Sequence, residues 1–199
     1  LSYLLFPEHH PQARVAWMTN LVPKAVKHGS HIICVSESTK ADVVEKYHAD
    51  PQKVSVTYLG ADDKFRVRGE DSVSPVLDGY DLSFGQYFLC VSTLEPRKNI
   101  EILIDAFLRL SPATRKQFPL VLIGGAGWLC ESLEQRLEGL KAEGVLHLGY
   151  VPQRDLPYLY NGARCFFYPS FYEGFGLPVL EAQASGLPVV ASNTSSLPE

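Results

Sequence analysis

Residues 164–192 read R-C-F-F-Y-P-S, then F-Y-E-G-F-G-L, then P-V-L-E-A-Q-A-S-G, then L-P-V-V-A-S. The first block is a short apolar run closed by Pro169-Ser170, the pattern of a buried strand. The second is a loop held open by glycines. The third has Pro178 near its start and Gly186 just past its end, the asymmetry of a short helix. The fourth is a second apolar strand. Strand, loop, helix, strand is a βαβ unit with a right-handed crossover. Ligands of such sheets gather at the carboxyl ends of the strands, which is where the F-Y-E-G-F-G-L loop falls.

Two carboxylates mark this loop: Glu173 lies in it and Glu181 one turn into the helix. Both are expected to face one mouth. Gly174 and Gly176 allow backbone amides to approach a ligand. The helix N-terminus behind them offers unpaired N–H groups and a positive dipole end, suited to phosphate. Amides for a phosphate and acceptor-only carboxylates for hydroxyls together suit a phosphorylated sugar. Taken singly, Glu173 reads equally as a solvated loop residue, and Glu181 as a helix N-terminal charge favoured by the dipole.

The block E-G-F-G-L-P-V-L-E resembles the Glu-x7-Glu signature of the large retaining glycosyltransferase family 4, whose fold is GT-B. Upstream, V-S-T-L-E-P-R-K-N resembles that family's donor-phosphate loop. I-I-C-V-S-E-S-T-K and V-S-V-T-Y-L-G-A-D resemble two segments of its first domain. The four motifs stand in the family's order and touch most of the chain. The resemblance implies an α/β architecture of Rossmann-like, doubly wound parallel sheets, incomplete at both ends. Residues 1–65 would be the end of the N-terminal, acceptor-side domain and 66–86 an interdomain linker. Residues 87–199 would be most of the C-terminal nucleotide-sugar-binding domain.

Composition is consistent with this. The 199 residues are 46% hydrophobic, with a formal charge of −4, which gives no support to a nucleic-acid-binding surface. Cys34, Cys90 and Cys165 lie in apolar runs and Cys130 is remote from them, so reduced residues are expected rather than disulfides or metal ligands. No run is long and apolar enough to span a bilayer, and no signal peptide is evident. The expectation is a cytoplasmic fragment of a longer protein, whose parent sits peripherally at the inner face of a membrane.

In chain order, Val15, Thr19, Val22 and Val26 fall on one helical face, with Pro23 marking a kink or restart. The adjacent His9 and His10 make a poor chelate. H-I-I-C-V-S is a strand, and Ser38 or Thr39 is expected to cap a helix running to His48 with Val43, Val44 and Tyr47 inward. V-S-V-T-Y-L is another strand. Residues 61–86, rich in Asp, Gly, Ser and Pro, read as a crossing built of local turns. After the strand Q-Y-F-L-C-V-S, Asn99 is expected to N-cap a helix with Leu103, Ala106, Phe107 and Leu110 on its apolar face. Arg97 and Lys98 then stand just ahead of a helix start. The dipole repels cations there, and a bound anion would offset the repulsion; an exposed pair screened by Glu95 is the other reading. Gly125-x-Gly127-x-x-Cys130 half-matches a dinucleotide fingerprint, but a structural turn after P-L-V-L-I fits it better. Leu129, Leu133, Leu137 and Leu140 then mark a helix, V-L-H-L-G-Y a strand, and residues 155–162 a short helix.

The family resemblance implies roles for these residues. Glu173 would contact the transferred sugar as the catalytic carboxylate, and Glu181 would hold the ribose diol. Arg97 and Lys98 would bind the diphosphate together with the amides of Gly174, Phe175, Gly176 and Leu177. Residues 150–152 would lie against the base. Some relatives carry an additional Arg where Ser92 stands here. The implied reaction is retaining transfer of a hexose from a GDP- or UDP-sugar to a glycan or lipid-linked acceptor, with no cofactor and no metal. The form of the phosphate loop resembles enzymes of surface-polysaccharide assembly, many of them mannosyltransferases. The first-domain remnant brings two strands, so the 199 residues alone are expected to bind a nucleotide without transferring sugar. The rival readings are a non-catalytic nucleotide-sugar-binding module and, on the half-matched glycines, an NAD-dependent Rossmann enzyme.

Overall fold

The computed structural model describes all 199 residues. The chain opens with α1 (Ser2–Leu5), α2 (Gln12–His28), β1 (Ile32–Cys34), α3 (Glu37–Tyr47) and β2 (Val54–Val56). It continues with α4 (Glu70–Leu77), β3 (Phe88–Val91), α5 (Ile100–Leu108), α6 (Pro112–Gln117) and β4 (Leu120–Ile123). It ends with α7 (Glu131–Glu138), β5 (Val145–Gly149), α8 (Leu156–Gly162), β6 (Cys165–Tyr168), α9 (Leu177–Ala184) and β7 (Val189–Ala191). Two sheets result. β1 and β2 pair in parallel, and a second, all-parallel sheet has the order β5-β4-β3-β6-β7.

Every residue of β4 is buried, as expected when both faces of a parallel sheet are covered. Side chains alternate along its strands. Leu89, Val121, Ile123, Phe166 and Tyr168 enter one core with Val73, Leu77, Leu159, Tyr160, Val179 and Ala182. Cys90, Leu120, Leu122 and Val145 enter the other with Ile100, Leu103, Ile104, Phe107, Leu133 and Leu137. Strand order reverses direction between β3 and β6, so the crevice of this sheet opens where the loops after those two strands meet.

Several sequence expectations are corrected. Residues 61–86 are not turns alone: Glu70–Leu77 form α4, whose Val73 and Leu77 are fully buried in the core they share with α8. The cap of α3 is Ser36, whose hydroxyl accepts from Thr39 N at 3.0 Å; His48 ends the helix in the left-handed region. Val43 is its one buried side chain. Asn99 gives α5 no side-chain cap. It is itself left-handed, at φ 53°, and its amide donates to Pro169 O at 3.2 Å. The inward face of α5 is Ile100, Leu103, Ile104 and Phe107, with Ala106 and Leu110 exposed. Leu129 and Leu140 fall outside α7, and Leu129 is exposed.

The glycine stretch after β4 is a structural turn. Leu94 and Ala126 form a parallel bridge, and Leu94 N donates to Gly125 O. A Cβ on Gly127 would lie 2.6 Å from Leu94 O. That glycine admits a neighbouring backbone, which accounts for it without a dinucleotide.

The first segment packs onto this sheet through aromatic contacts. His9 stacks on Phe6 and tilts on Phe171, and His10 packs on Trp128, whose indole donates to His9 O at 2.7 Å. Both histidines pack on aromatic rings, although neither ring nitrogen of His10 nor Nδ1 of His9 has a hydrogen-bond partner in the chain; no group of three His, Cys, Asp or Glu is placed to hold a metal. The four cysteines are free, three of them buried. α2 buries no residue completely. No helix is long and apolar enough to cross a membrane. Ser36→Ala removes the α3 cap and the hydroxyl's bond to Gly174 O at 2.7 Å, and is expected to cost about 1–3 kcal/mol, measurable as a lowered denaturation midpoint with an unchanged slope.

Candidate active site

The loop after β3 carries Glu95, Arg97 and Lys98, and the loop after β6 carries Tyr172 and Glu173. Backbone bonds join them: Phe171 N donates to Arg97 O at 2.9 Å. Lys98 is buried, its ammonium 2.7 Å from Glu173 Oε1 and 2.8 Å from the Tyr168 hydroxyl. Arg97 reaches Glu173 Oε2 at 2.9 Å, donates to Tyr172 O at 2.6 Å and pairs with Glu95. The reading of Arg97 and Lys98 as an exposed, screened pair is therefore replaced. The dipole of α5 is not what they face, because both turn toward the neighbouring strand's carboxylate.

Glu173 is itself buried at 8% exposure. Burial opposes its ionisation, but the charges and hydrogen bonds of Lys98 and Arg97 outweigh that and hold its carboxyl below the ordinary glutamate value. Burial works against the Arg97 charge as well, yet Glu173 and Glu95 raise its pKa. Burial and then the Glu173 charge keep the Tyr168 phenol protonated. Two carboxylates and two cations thus form one nearly neutral, buried cluster at the crevice.

Beyond Glu173 the loop presents its two polar sides differently. Gly174 O accepts from the Ser36 and Thr39 hydroxyls at 2.7 and 3.2 Å, and the single Ser196 hydroxyl proton is shared between Glu173 O and Phe175 O, each 3.0 Å from Oγ. The N–H groups of Gly174, Phe175, Gly176 and Leu177 have no acceptor within the chain. Gly176 sits at φ 105°, where a side chain would be strained, and a Cβ there would lie 2.7 Å from Leu197 Cδ2. The left-handed glycine turns the chain into α9 with four consecutive amides free. Unpaired amides at a helix N-terminus are suited to an anion.

Glu181, in α9, is not in the ionic cluster. Its carboxylate's one hydrogen bond comes from the Tyr160 hydroxyl at 3.0 Å. Burial raises its carboxyl pKa, partly opposed by Tyr160 and the nearby Lys64. Glu173 and Glu181 therefore occupy different electrostatic settings. Tyr150 is largely exposed at the end of β5, and Val151 is buried behind it. Ser92, Glu95 and Ser170 each hold a buried oxygen without a partner in the chain. Sequence reasoning missed Tyr160, Tyr168 and the buried role of Glu95. The tyrosines lie in apolar runs and read as core, and Glu95 read as a surface charge.

The family described as "Glycosyl transferases group 1" matches residues 85–199, and "Glycosyltransferase Family 4" matches 3–65. The chain belongs to the group 1 glycosyltransferases. It is 41% identical over 200 residues to "O-antigen chain mannosyltransferase B" of Escherichia coli, covering 100% of this chain and 52% of that protein. It is 27% identical to "O-antigen chain mannosyltransferase RfbU" of Salmonella typhimurium, over 94% of this chain and 49% of that one. The chain spans about half the length of these curated relatives. Among solved structures it resembles Anabaena Alr3699/HepE in complex with UDP and glucose, with a TM-score of 0.78 and 26% identity. That match covers 98% of this chain and 52% of the other. The fold of this group 1 glycosyltransferase chain is GT-B, as the parallel α/β sheets and this structural likeness show.

Proposed function

We propose that the chain carries the donor site of a retaining glycosyltransferase. The enzyme moves mannose from a nucleoside diphosphate sugar to a glycan or lipid-linked acceptor in polysaccharide assembly. The observation that carries this reading is the set of four free amides, from Gly174 to Leu177, next to the buried Arg97–Lys98 pair. The names of the mannosyltransferase relatives and the UDP held by a structural neighbour support the donor class. The donor nucleotide is GDP or UDP.

In transfer, the bond between the anomeric carbon and the diphosphate oxygen breaks, and its electron pair stays on that oxygen. The acceptor hydroxyl oxygen bonds the same carbon on the same face, and its proton goes to the departing phosphate. Arg97, Lys98 and the four amides meet the charge gained by the diphosphate, fixed in place before the reaction and so without reorganisation cost. No metal is needed in this scheme. Glu173 holds both cations in the free chain, and the diphosphate takes its place on them. The released carboxylate then faces the transferred sugar, where positive charge develops at the anomeric carbon. Glu181 holds the ribose diol, two hydroxyls on one acceptor-only group. The enzyme acts at the inner face of a membrane, where lipid-linked acceptors are found.

The test has two arms. Calorimetry with GDP, UDP, GDP-mannose and NAD identifies the ligand class, and a nucleoside diphosphate is expected to bind where NAD does not. Turnover of the full-length enzyme with GDP-mannose and a polysaccharide acceptor distinguishes an enzyme from a nucleotide-sugar sensor. Binding of NAD alone would overturn the donor assignment, and nucleotide binding without turnover would leave the sensor.

A further inference from the structure

We propose that Tyr160 is a positioning residue for the nucleotide: its buried hydroxyl orients the Glu181 carboxylate toward the ribose diol. The inference rests on the reading of Glu181 given above and adds a residue outside the family's signature.

Tyr160 lies in the last turn of α8 and is fully buried. Its ring meets Phe65 edge-on, with centroids 5.6 Å apart, and packs on Phe166 at 5.4 Å. α8 is in turn fixed by the buried Tyr87 hydroxyl, which donates to Leu159 O at 2.6 Å. A ring held from the crossing segment, from β6 and along its own helix has no freedom to follow a moving partner. Its single polar atom ends 3.0 Å from Glu181 Oε2, the one hydrogen bond the Glu181 side chain makes. A buried phenol usually finds a partner, and here that partner is a carboxylate at the mouth of the crevice. With Oε2 engaged, Oε1 and the remaining lone pairs are left for hydroxyl donors.

The groups facing this pair are few. Lys64 and Asp62 of the crossing segment act on Glu181 with opposite signs and pair with each other at 3.4 Å. Tyr168 and Cys90 stand near Tyr160, and burial keeps both protonated, the thiol pushed up to about 12. Tyr160 is thus the main group in the chain that favours the charged carboxylate against its burial. A ribose diol needs that charged, acceptor-only form.

The experiment compares the chain with its Tyr160→Phe variant, which keeps the ring and removes one oxygen. Nucleoside diphosphate affinity is titrated across the pH range in which carbon NMR shows the Glu181 carboxyl to ionise. The variant is expected to bind about tenfold more weakly at the acid end. The gap should narrow as pH rises and Glu181 ionises in both proteins, with Glu181 titrating higher in the variant. On a Glu181→Ala background, which leaves the phenol no group to orient, Tyr160→Phe should add nothing. Equal affinity at every pH, or a loss that ignores pH, would overturn the inference. If Glu181→Gln weakens the nucleotide and Tyr160→Phe does not, the positioning role alone falls. If Glu181→Gln leaves the affinity unchanged, the ribose assignment falls and the inference with it.

Discussion

Lys98→Ala is expected to lower stability by about 3 kcal/mol and nucleoside diphosphate affinity by about 10- to 150-fold. The stability loss follows from burial. Lys98 is 8% exposed and lies 2.7 Å from a carboxylate that is equally buried. Removing one partner of a buried ion pair costs about 3–5 kcal/mol, because the other charge stays desolvated. Arg97 still contacts Glu173, which places the expected loss at the low end. In a chain of this size it should appear as a melting-point drop of about 6–12 °C. The affinity loss is the cost of a hydrogen bond to a charged group, about 1.5–3 kcal/mol. Calorimetry below the melting range reads it separately. A variant that melts like the parent would contradict the buried pairing, and one that binds the nucleotide equally well would remove Lys98 from the donor site.

Glu173→Gln should separate binding from turnover. The amide keeps the shape but cannot neutralise Arg97 and Lys98, and it no longer competes with an incoming diphosphate for them. Nucleoside diphosphate affinity is therefore expected to hold or to rise. Turnover in the full-length enzyme is expected to fall about 10²- to 10³-fold, the range for removing one preorganised electrostatic group from a transition state. Acid sensitivity gives an independent reading. The Glu173 carboxyl is held below its ordinary value in the folded chain. Its contribution to stability is then present above the unfolded carboxyl's pKa and lost as pH falls through the lower, folded value. The variant lacks this contribution at all pH, so the stability gap between the two proteins should close in acid. A weaker diphosphate complex in the variant would place Glu173 among the nucleotide's direct ligands instead.

The parts of the site written within one short stretch were legible in the sequence. Pro178 and Gly186 bracket α9 as their backbone preferences dictate, and the Gly174–Gly176 loop falls at the strand end where the βαβ pattern puts it. Local punctuation misled where tertiary packing overrode it. Pro75 and the polar run around it read as turn, yet Val73 and Leu77 meet α8 and the segment coils into α4. Asn99 looks like a cap, but the loop needed a left-handed residue there and its side chain went to the adjacent strand's loop. The ionic cluster could not be read at all. Arg97 and Glu173 are remote in sequence and become neighbours because β3 and β6 pair. The tyrosines behind it differ from core phenylalanines by one oxygen, whose partner only the packed sheet supplies.

The hydroxyls of Ser36 and Thr39 hold the carbonyl of Gly174, so the start of α3 grips the loop whose amides are proposed to meet the donor. That grip makes the loop's shape and the placement of the first segment a single equilibrium. Any arrangement of α3 that the bound nucleotide favours must, by the same factor, raise the nucleotide's affinity. An acceptor that draws the first domain inward would act as an effector of donor binding without touching the donor. Cooperativity between the two substrates would then be carried by a serine, a threonine and one peptide oxygen.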